Sequence, residues 1–178
     1  MKLNMRNYVA GADYGEVYRL FTNNTVNSLI INKPDHNSMG VFSRWFDRHL
    51  ETDYHDFMVF STLENDFVGF AYSYEFRELD GHCLFTVVIK PDFQGTGAGG
   101  FATIQFLSYL FTNYNLRKVY IHIYGYNSHS RQCAEAFGFS LEGILKEHHF
   151  YGGTFNDLLI YSISRGGFNS IVQRMNIL

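Results

Sequence analysis

A chain of 178 residues with 46% hydrophobic content has room for one domain with a sizeable core, so a single domain over residues 1–178 is expected. A formal net charge of −3 with 17% charged residues gives no long-range field to recruit nucleic acid, and no window approaches the roughly 18 apolar residues of a membrane span. Cys83 and Cys133 are too few for a disulfide framework and stand in no metal-ligand spacing, so reduced thiols, a cytoplasmic setting and no metal are expected. Aromatic residues reach 18%, with 18 Phe and 13 Tyr, more than such a core ordinarily needs; most are assigned to packing and some to a cleft.

The chain opens on an alternation of Leu3, Met5 and Asn7 with Lys2, Asn4 and Arg6, which predicts a strand, and the first eight residues carry no apolar signal region. Asp13 is placed as the cap of a short helix whose apolar positions are Val17, Leu20 and Phe21. From Asn23 to Met39 the chain turns polar around Leu29-Ile30-Ile31 and reads as a mobile loop. Ser38 then starts a helix with Val41, Phe42, Trp45, Phe46 and Leu50 on one stripe, opposite Arg44, Asp47, Arg48 and Glu51.

Phe57–Phe60, Phe67–Tyr72 and Cys83–Ile89 read as strands of an antiparallel meander, with turns at Glu64-Asn65-Asp66 and Glu78-Leu79-Asp80-Gly81. The third strand runs through Pro91 into Gln94-Gly95-Thr96-Gly97-Ala98-Gly99-Gly100 and then an apolar segment, Phe101 to Phe111, without a breaker. A glycine-rich turn between strand and helix offers backbone N–H groups and the positive end of a helix dipole, which together make an anion site. Gly95-x-Gly97-x-x-Gly100 satisfies the dinucleotide fingerprint, but no Asp or Glu follows before Glu135 to hold a ribose, and no Gly-Lys-Ser/Thr ends the loop as a nucleoside-triphosphate site requires. Further on, Lys118–Tyr124 reads as a strand parallel to its predecessor, Asn127 to Ala136 as a helix stopped at Gly138, and Leu141–Phe150 and Phe155–Ser164 as a hairpin turning at Gly152-Gly153. The conformation after Gly166-Gly167 is left open.

Gln94-x-x-Gly97-x-Gly99 after Ile89-x-Pro91 resembles the loop of the Gcn5-related N-acetyltransferases (GNAT superfamily), and Asn127-x-x-Ser130, Glu135-x-x-Gly138-Phe139-x-x-Glu142-Gly143 and Asn156-Asp157 are similar to its RimJ/RimL-like branch. These motifs cover Val87 to Ser164; the first half of the chain agrees only in the order of its elements. The resemblance implies an α+β single-domain fold with a central mixed, mostly antiparallel sheet flanked by helices, and splayed parallel strands either side of the coenzyme-binding helix. It implies a coenzyme core over about residues 83–164 and acceptor-side helices and loop over about 11–56.

The implied activity is transfer of an acetyl group from acetyl-CoA to a primary amine of a small molecule, such as an amino sugar or polyamine, or of a protein N-terminus. The alternative is a non-catalytic acyl-CoA-binding sensor or assembly subunit. In the implied site, amides at Val88 and Ile89 polarise the thioester, Gln94, Gly95, Thr96, Gly97, Ala98 and Gly99 hold the pyrophosphate, and Asn127 bonds the pantetheine arm or caps the helix. Many members place a tyrosine seven residues after that asparagine to protonate the thiolate, and here the residue is Ala134. Ser130 fills the position assigned this work in the RimJ/RimL-like branch, beside its plain reading as a helix-start residue; Cys133 on the same face is expected to be buried and inert. The strand glutamate of other members aligns with Leu84, so Glu75 or His82 acting through water, beside Tyr74, are the candidates for the base, and His148 or His149 on the hairpin points inward. The expected partner is the amine acceptor, with neither nucleic acid nor membrane, in a monomer or homodimer.

Overall fold

The computed structural model describes residues 2–31, 33 and 38–175. Among them, seven strands form one sheet in the order β1-β2-β3-β4-β5-β7-β6, with β1 Asn4–Asn7, β2 Tyr54–Ser61, β3 Phe67–Arg77, β4 His82–Ile89, β5 Lys118–Tyr124, β6 Ser140–Tyr151 and β7 Thr154–Ser164. The β1–β2, β2–β3, β5–β7 and β6–β7 pairs are antiparallel, whereas β4 and β5 run parallel, paired from His82–Lys118 to Leu84–Tyr120. Both strands continue past the last pair. The helices are α1 Ala10–Thr22, α2 Asn24–Asn27, α3 Met39–Thr52, α4 Ala98–Asn113, α5 Ser128–Ala136 and α6 Arg165–Met175. The mixed, mostly antiparallel α+β architecture implied by the motifs is therefore the one observed.

Two compact units divide the chain: Met1–Phe76 with Phe85–Tyr109, and Arg77–Leu84 with Leu110–Leu178. The first unit is an aromatic core. Phe42 and Phe46 on α3 meet Phe21 of α1, which stacks on Phe70 of β3 at 4.9 Å, and Tyr72, Phe21, Phe42, Phe46 and Phe70 are fully buried. The aromatic excess thus goes mostly into packing, as expected. Asp13 does not cap α1; Val9 holds that position, and Asp13 sits inside the first turn, where its carboxylate accepts from the Val9 N–H at 2.8 Å and pairs with Arg6 at 2.6 Å. The polar run after Asn23 is not wholly irregular either. The Asn23 side chain accepts from the Thr25 and Val26 N–H groups and starts α2; Asn32 and Pro34–Asn37, Asp35 included, lie outside the described residues.

In the second unit β5 pairs with β7 along its whole length, and the β6–β7 turn places Gly152 and Gly153 at φ +64° and +81°, the left-handed pair that a two-residue hairpin turn needs. The segment after β7 is helical despite Gly166-Gly167. The Arg165 guanidinium donates to the carbonyls of Leu116, Phe111 and Tyr114, and Phe168, Ile171 and Val172 are buried, so tertiary contacts override two poor helix formers.

Candidate functional site

The glycine loop belongs to the first unit. Gly69 is where β3 comes against β4: a Cβ there would stand 2.1 Å from the Val88 carbonyl oxygen, so only glycine permits the approach that sets the end of β4. The Lys90 N–H then donates to the Val68 carbonyl at 2.8 Å, and Pro91–Phe93 make a single 3-10 turn. Gln94 folds back, its amide donating to the Ile89 carbonyl at 3.1 Å, and the Thr96 hydroxyl donates to the Phe93 carbonyl at 2.7 Å, so two side chains at the pyrophosphate positions brace the loop.

Gly95 and Gly97 carry φ +76° and +89°, and a Cβ added at either meets no heavy atom within 4 Å. Open space lies over a backbone that only glycine adopts without strain. Gly97 accepts the first helical bond of α4 from Phe101 at 3.1 Å, and among the described residues the N–H groups of Gly95, Gly97, Gly99 and Gly100 find no backbone acceptor. Unsatisfied donors at a helix start, beside the open space over Gly95 and Gly97, form a seat for an anion such as a pyrophosphate. Ala98 and Val88 are buried behind this face and Ile89 is half-buried.

The second unit holds the start of α5. The Asn127 side-chain oxygen accepts from the Ser130 N–H at 3.1 Å, so the capping role is observed, and its side-chain amide N–H groups have no partner among the described residues. The Ser130 hydroxyl, half-buried, likewise makes no hydrogen bond among them. It is not spent on the preceding turn. Ala134 is buried, and Cys133 departs from expectation: it is half-exposed, with His129 Nε2 3.7 Å from its sulfur. The remaining motif residues hold α5 and β6 in place. Gly138 ends the helix at φ +79°, the Tyr161 hydroxyl donates to Glu135 at 2.8 Å, and Glu142 takes Lys118 and the Ser162 hydroxyl. The Lys118 ammonium holds the Glu142 carboxyl below the usual carboxylate range.

The candidate bases fall in both units. Glu75, in the first unit, is exposed at φ +47°, a strained position for a side-chain-bearing residue, next to buried Tyr74. His82, in the second unit, packs edge-on against Tyr120 at 5.4 Å, and its buried Nδ1 has no partner among the described residues. Leu84 is buried. On the hairpin His149 is half-buried against Tyr124 while His148 is exposed, as strand alternation requires. No cluster of three or more His, Cys, Asp or Glu that could hold a metal occurs among the described residues, nor any helix long and apolar enough to cross a membrane. Sequence reasoning missed the rings around His149, Tyr124, Tyr126 and Tyr151, whose only linear signal is a pair of tyrosines flanking Gly125.

Residues 2–140 match the acetyltransferase (GNAT) domain family. Spermidine N(1)-acetyltransferase of Vibrio cholerae is 25% identical over 142 residues, 80% of this chain and 82% of that protein, and the enzyme of the same name from Escherichia coli K12 is 26% identical over 136 residues, 69% and 73% of the two. The solved structure of the Vibrio cholerae spermidine N-acetyltransferase in complex with CoA and spermine superposes with a TM-score of 0.84 at 24% identity, covering 94% of this chain and 98% of that one, a likeness of fold. The chain belongs to the acetyltransferase (GNAT) domain family and is an N-acetyltransferase that takes its acetyl group from acetyl-CoA.

Proposed function

We propose that the amine accepted by this enzyme is a primary amine of a polyamine of the spermidine class. The observation that carries the reading is the likeness to two bacterial spermidine N(1)-acetyltransferases, each spanning more than two thirds of both chains. The exposed carboxylates of Asp47, Glu51 and Asp53 suit a polycation, and they lie within the acceptor-side stretch, Asn23 to Asp56. Asp35, of the same stretch, lies outside the described residues.

Roles follow from each unit separately. The amides of Gly95, Gly97, Gly99 and Gly100 hold the pyrophosphate of the coenzyme, with Gln94 and Thr96 keeping the loop in shape, and the amides of Val88 and Ile89 polarise the thioester. The free amide of Asn127 bonds the pantetheine arm while its oxygen caps α5. The neutral amine nitrogen attacks the thioester carbon, the tetrahedral oxyanion collapses, the carbon–sulfur bond breaks, and the Ser130 hydroxyl donates a hydrogen bond to the departing thiolate. The amine loses its proton to water, directly or through Glu75 or His82. The Asn127-x-x-Ser130 and Gly138-Phe139-x-x-Glu142-Gly143 motifs support a place in the RimJ/RimL-like branch, and dependence on acetyl-CoA suits the cytoplasm, in a single catalytic domain as monomer or homodimer.

A panel of spermidine, spermine, putrescine, an amino sugar and a peptide N-terminus, with coenzyme A thiol release followed beside melting temperature, tests the reading. Turnover with spermidine or spermine at the highest kcat/KM of the panel is expected. Stabilisation by acetyl-CoA with no thiol release on any amine would make the protein an acyl-CoA sensor; preference for the sugar or peptide would replace the acceptor.

A further inference from the structure

Four aromatic rings of the second unit take no part in the roles above. Tyr124 and Tyr126 flank Gly125 immediately before Asn127, and His149 and Tyr151 come from β6. Tyr124 stacks on His149 at 4.2 Å and 16°, Tyr126 on Tyr151 at 4.6 Å and 24°, and Tyr124 lies 5.3 Å and 16° from Tyr126, while Tyr126 and His149 are tilted by 32°.

The hairpin is shaped to deliver this stack. β6 pairs Leu145 with Leu158 and next His149 with Asn156, so Lys146, Glu147 and His148 stand against Asp157 alone. A regular ladder continued from Leu145–Leu158 would place Glu147 opposite Asn156 and His149 opposite Thr154; the bulge places His149 and Tyr151 there. The Asp157 carboxylate fastens it, accepting from the Glu147 N–H at 3.0 Å and from Lys146 Nζ at 2.8 Å, and Glu147 sits at φ +53°, a strained conformation for an L residue. Strain held in place by a dedicated carboxylate, for the sake of ring placement, is the mark of a functional feature.

The stack is not closed off. Tyr151 is 45% exposed, Tyr126 covers one of its faces, and among the described residues no ring lies on the other. Burial and the neighbouring phenols push the Tyr126 hydroxyl well above its ordinary value, and the outer ring offers the negative face of its quadrupole. Such a surface suits a polyamine. One nitrogen must be neutral to react, while the others, with ordinary amine pKa values of about 10.4, remain charged and must be bound as cations.

We propose that the Tyr124–His149–Tyr126–Tyr151 stack is a cation shelf that seats a non-reacting ammonium of the polyamine acceptor against the open face of Tyr151 and so sets specificity for polyamines over monoamines. The proposal rests on the polyamine reading above. The exposed Glu147 carboxylate, unpaired among the described residues and two positions from His149, adds negative charge on the same bulge.

Steady-state kinetics of the full chain test it, using wild type, Tyr151→Leu and Tyr151→Phe with spermidine and with butylamine, which has no second ammonium. Tyr151→Leu should raise KM for spermidine about 2-fold to 30-fold, the range of one cation–π contact, leaving KM for acetyl-CoA and for butylamine unchanged. Tyr151→Phe keeps the ring and should behave as wild type. An unmoved spermidine KM in Tyr151→Leu, or an equal rise with butylamine, overturns the shelf while the polyamine reading stands. Failure of wild type to acetylate spermidine overturns that reading, and the shelf with it.

Discussion

Gly97 separates the demands of the fold from those of the coenzyme, because the two act on different sides of one Cα. Gly97→Val puts a β-branched side chain at φ +89°, where an L residue costs about 1 to 2 kcal/mol or more, yet a Cβ there meets no heavy atom of the protein within 4 Å. The stability loss should therefore be limited to backbone strain, a fall in melting temperature of roughly 2 to 8 °C for a chain of this size. Coenzyme binding should suffer more. The methyl groups would fill the space over the Gly95–Gly100 amides, and each charge-assisted bond lost from phosphate is worth about 1.5 to 3 kcal/mol, or roughly 10-fold to 150-fold in Kd. Calorimetric titration of coenzyme A into the folded variant measures this. Gly152→Val supplies the control: its φ is +64° and a Cβ there also meets nothing within 4 Å, but it lies in the hairpin turn, so it should show the strain without the loss of affinity. Unchanged coenzyme affinity in folded Gly97→Val, or an equal loss in Gly152→Val, refutes the assignment of the loop.

Ser130→Ala should lower kcat while leaving coenzyme Kd nearly unchanged, at or below the lower end of the roughly 100-fold to 10,000-fold range of general-acid assistance, with melting temperature unaffected because the hydroxyl makes no hydrogen bond among the described residues. The loss should shrink as pH rises towards the thiol pKa of about 8.5; wild-type turnover from pH 6 to 9, with chemistry rate-limiting, would leave the serine a helix-start residue. The Arg6 guanidinium, hydrogen-bonded to the buried Asp13 carboxyl, holds it below the ordinary range, so its contribution to stability is fully present above the unfolded value of about 3.9 and is lost as pH falls through the lower folded value. Asp13→Asn should cost about 1 to 3 kcal/mol at pH 7, a gap to wild type in denaturant unfolding that closes at acid pH; a gap independent of pH would mean that packing, not charge, holds the residue.

The parts of the fold legible in the chain are those where one residue type answers one backbone demand. Gly152 and Gly153 announce a left-handed two-residue turn, Gly138 a helix end, and Gly95 and Gly97 a loop open to an anion, and each carries the positive φ that its role needs. What was not legible depends on partners far along the chain. Arg165 reaches carbonyls of residues 111, 114 and 116 and so starts a helix through two glycines, and the bulge at Lys146–His148 needs Asp157 from the neighbouring strand. Helix α2 escaped because four residues, three of them polar, show no periodicity; only its capping side chain betrays it. In the candidate site the anion-seating loop could be read because backbone geometry makes it, whereas no carboxylate or imidazole stands in a pattern that marks it as the base.

Ala134 in place of the usual tyrosine looks like a lesion, but thiol chemistry limits what it can cost. The departing sulfur belongs to a thiol of pKa about 8.5, so at pH 7.5 its protonation is already favourable by about one unit, or roughly 1.4 kcal/mol, and water can complete it. An acid is needed chiefly to stabilise negative charge while the carbon–sulfur bond is breaking, which a single hydrogen bond supplies. A serine hydroxyl is too weak an acid to give up its proton outright but adequate to donate that bond. Position 134 is buried, whereas Ser130 is half-buried with its hydroxyl unspent at the start of the helix whose Asn127 side-chain amide is also free. Under the role proposed for Ser130, loss of the tyrosine moves a modest contribution one turn towards the N-terminus of α5 and predicts slower turnover at low pH in place of a silent coenzyme-binding relic.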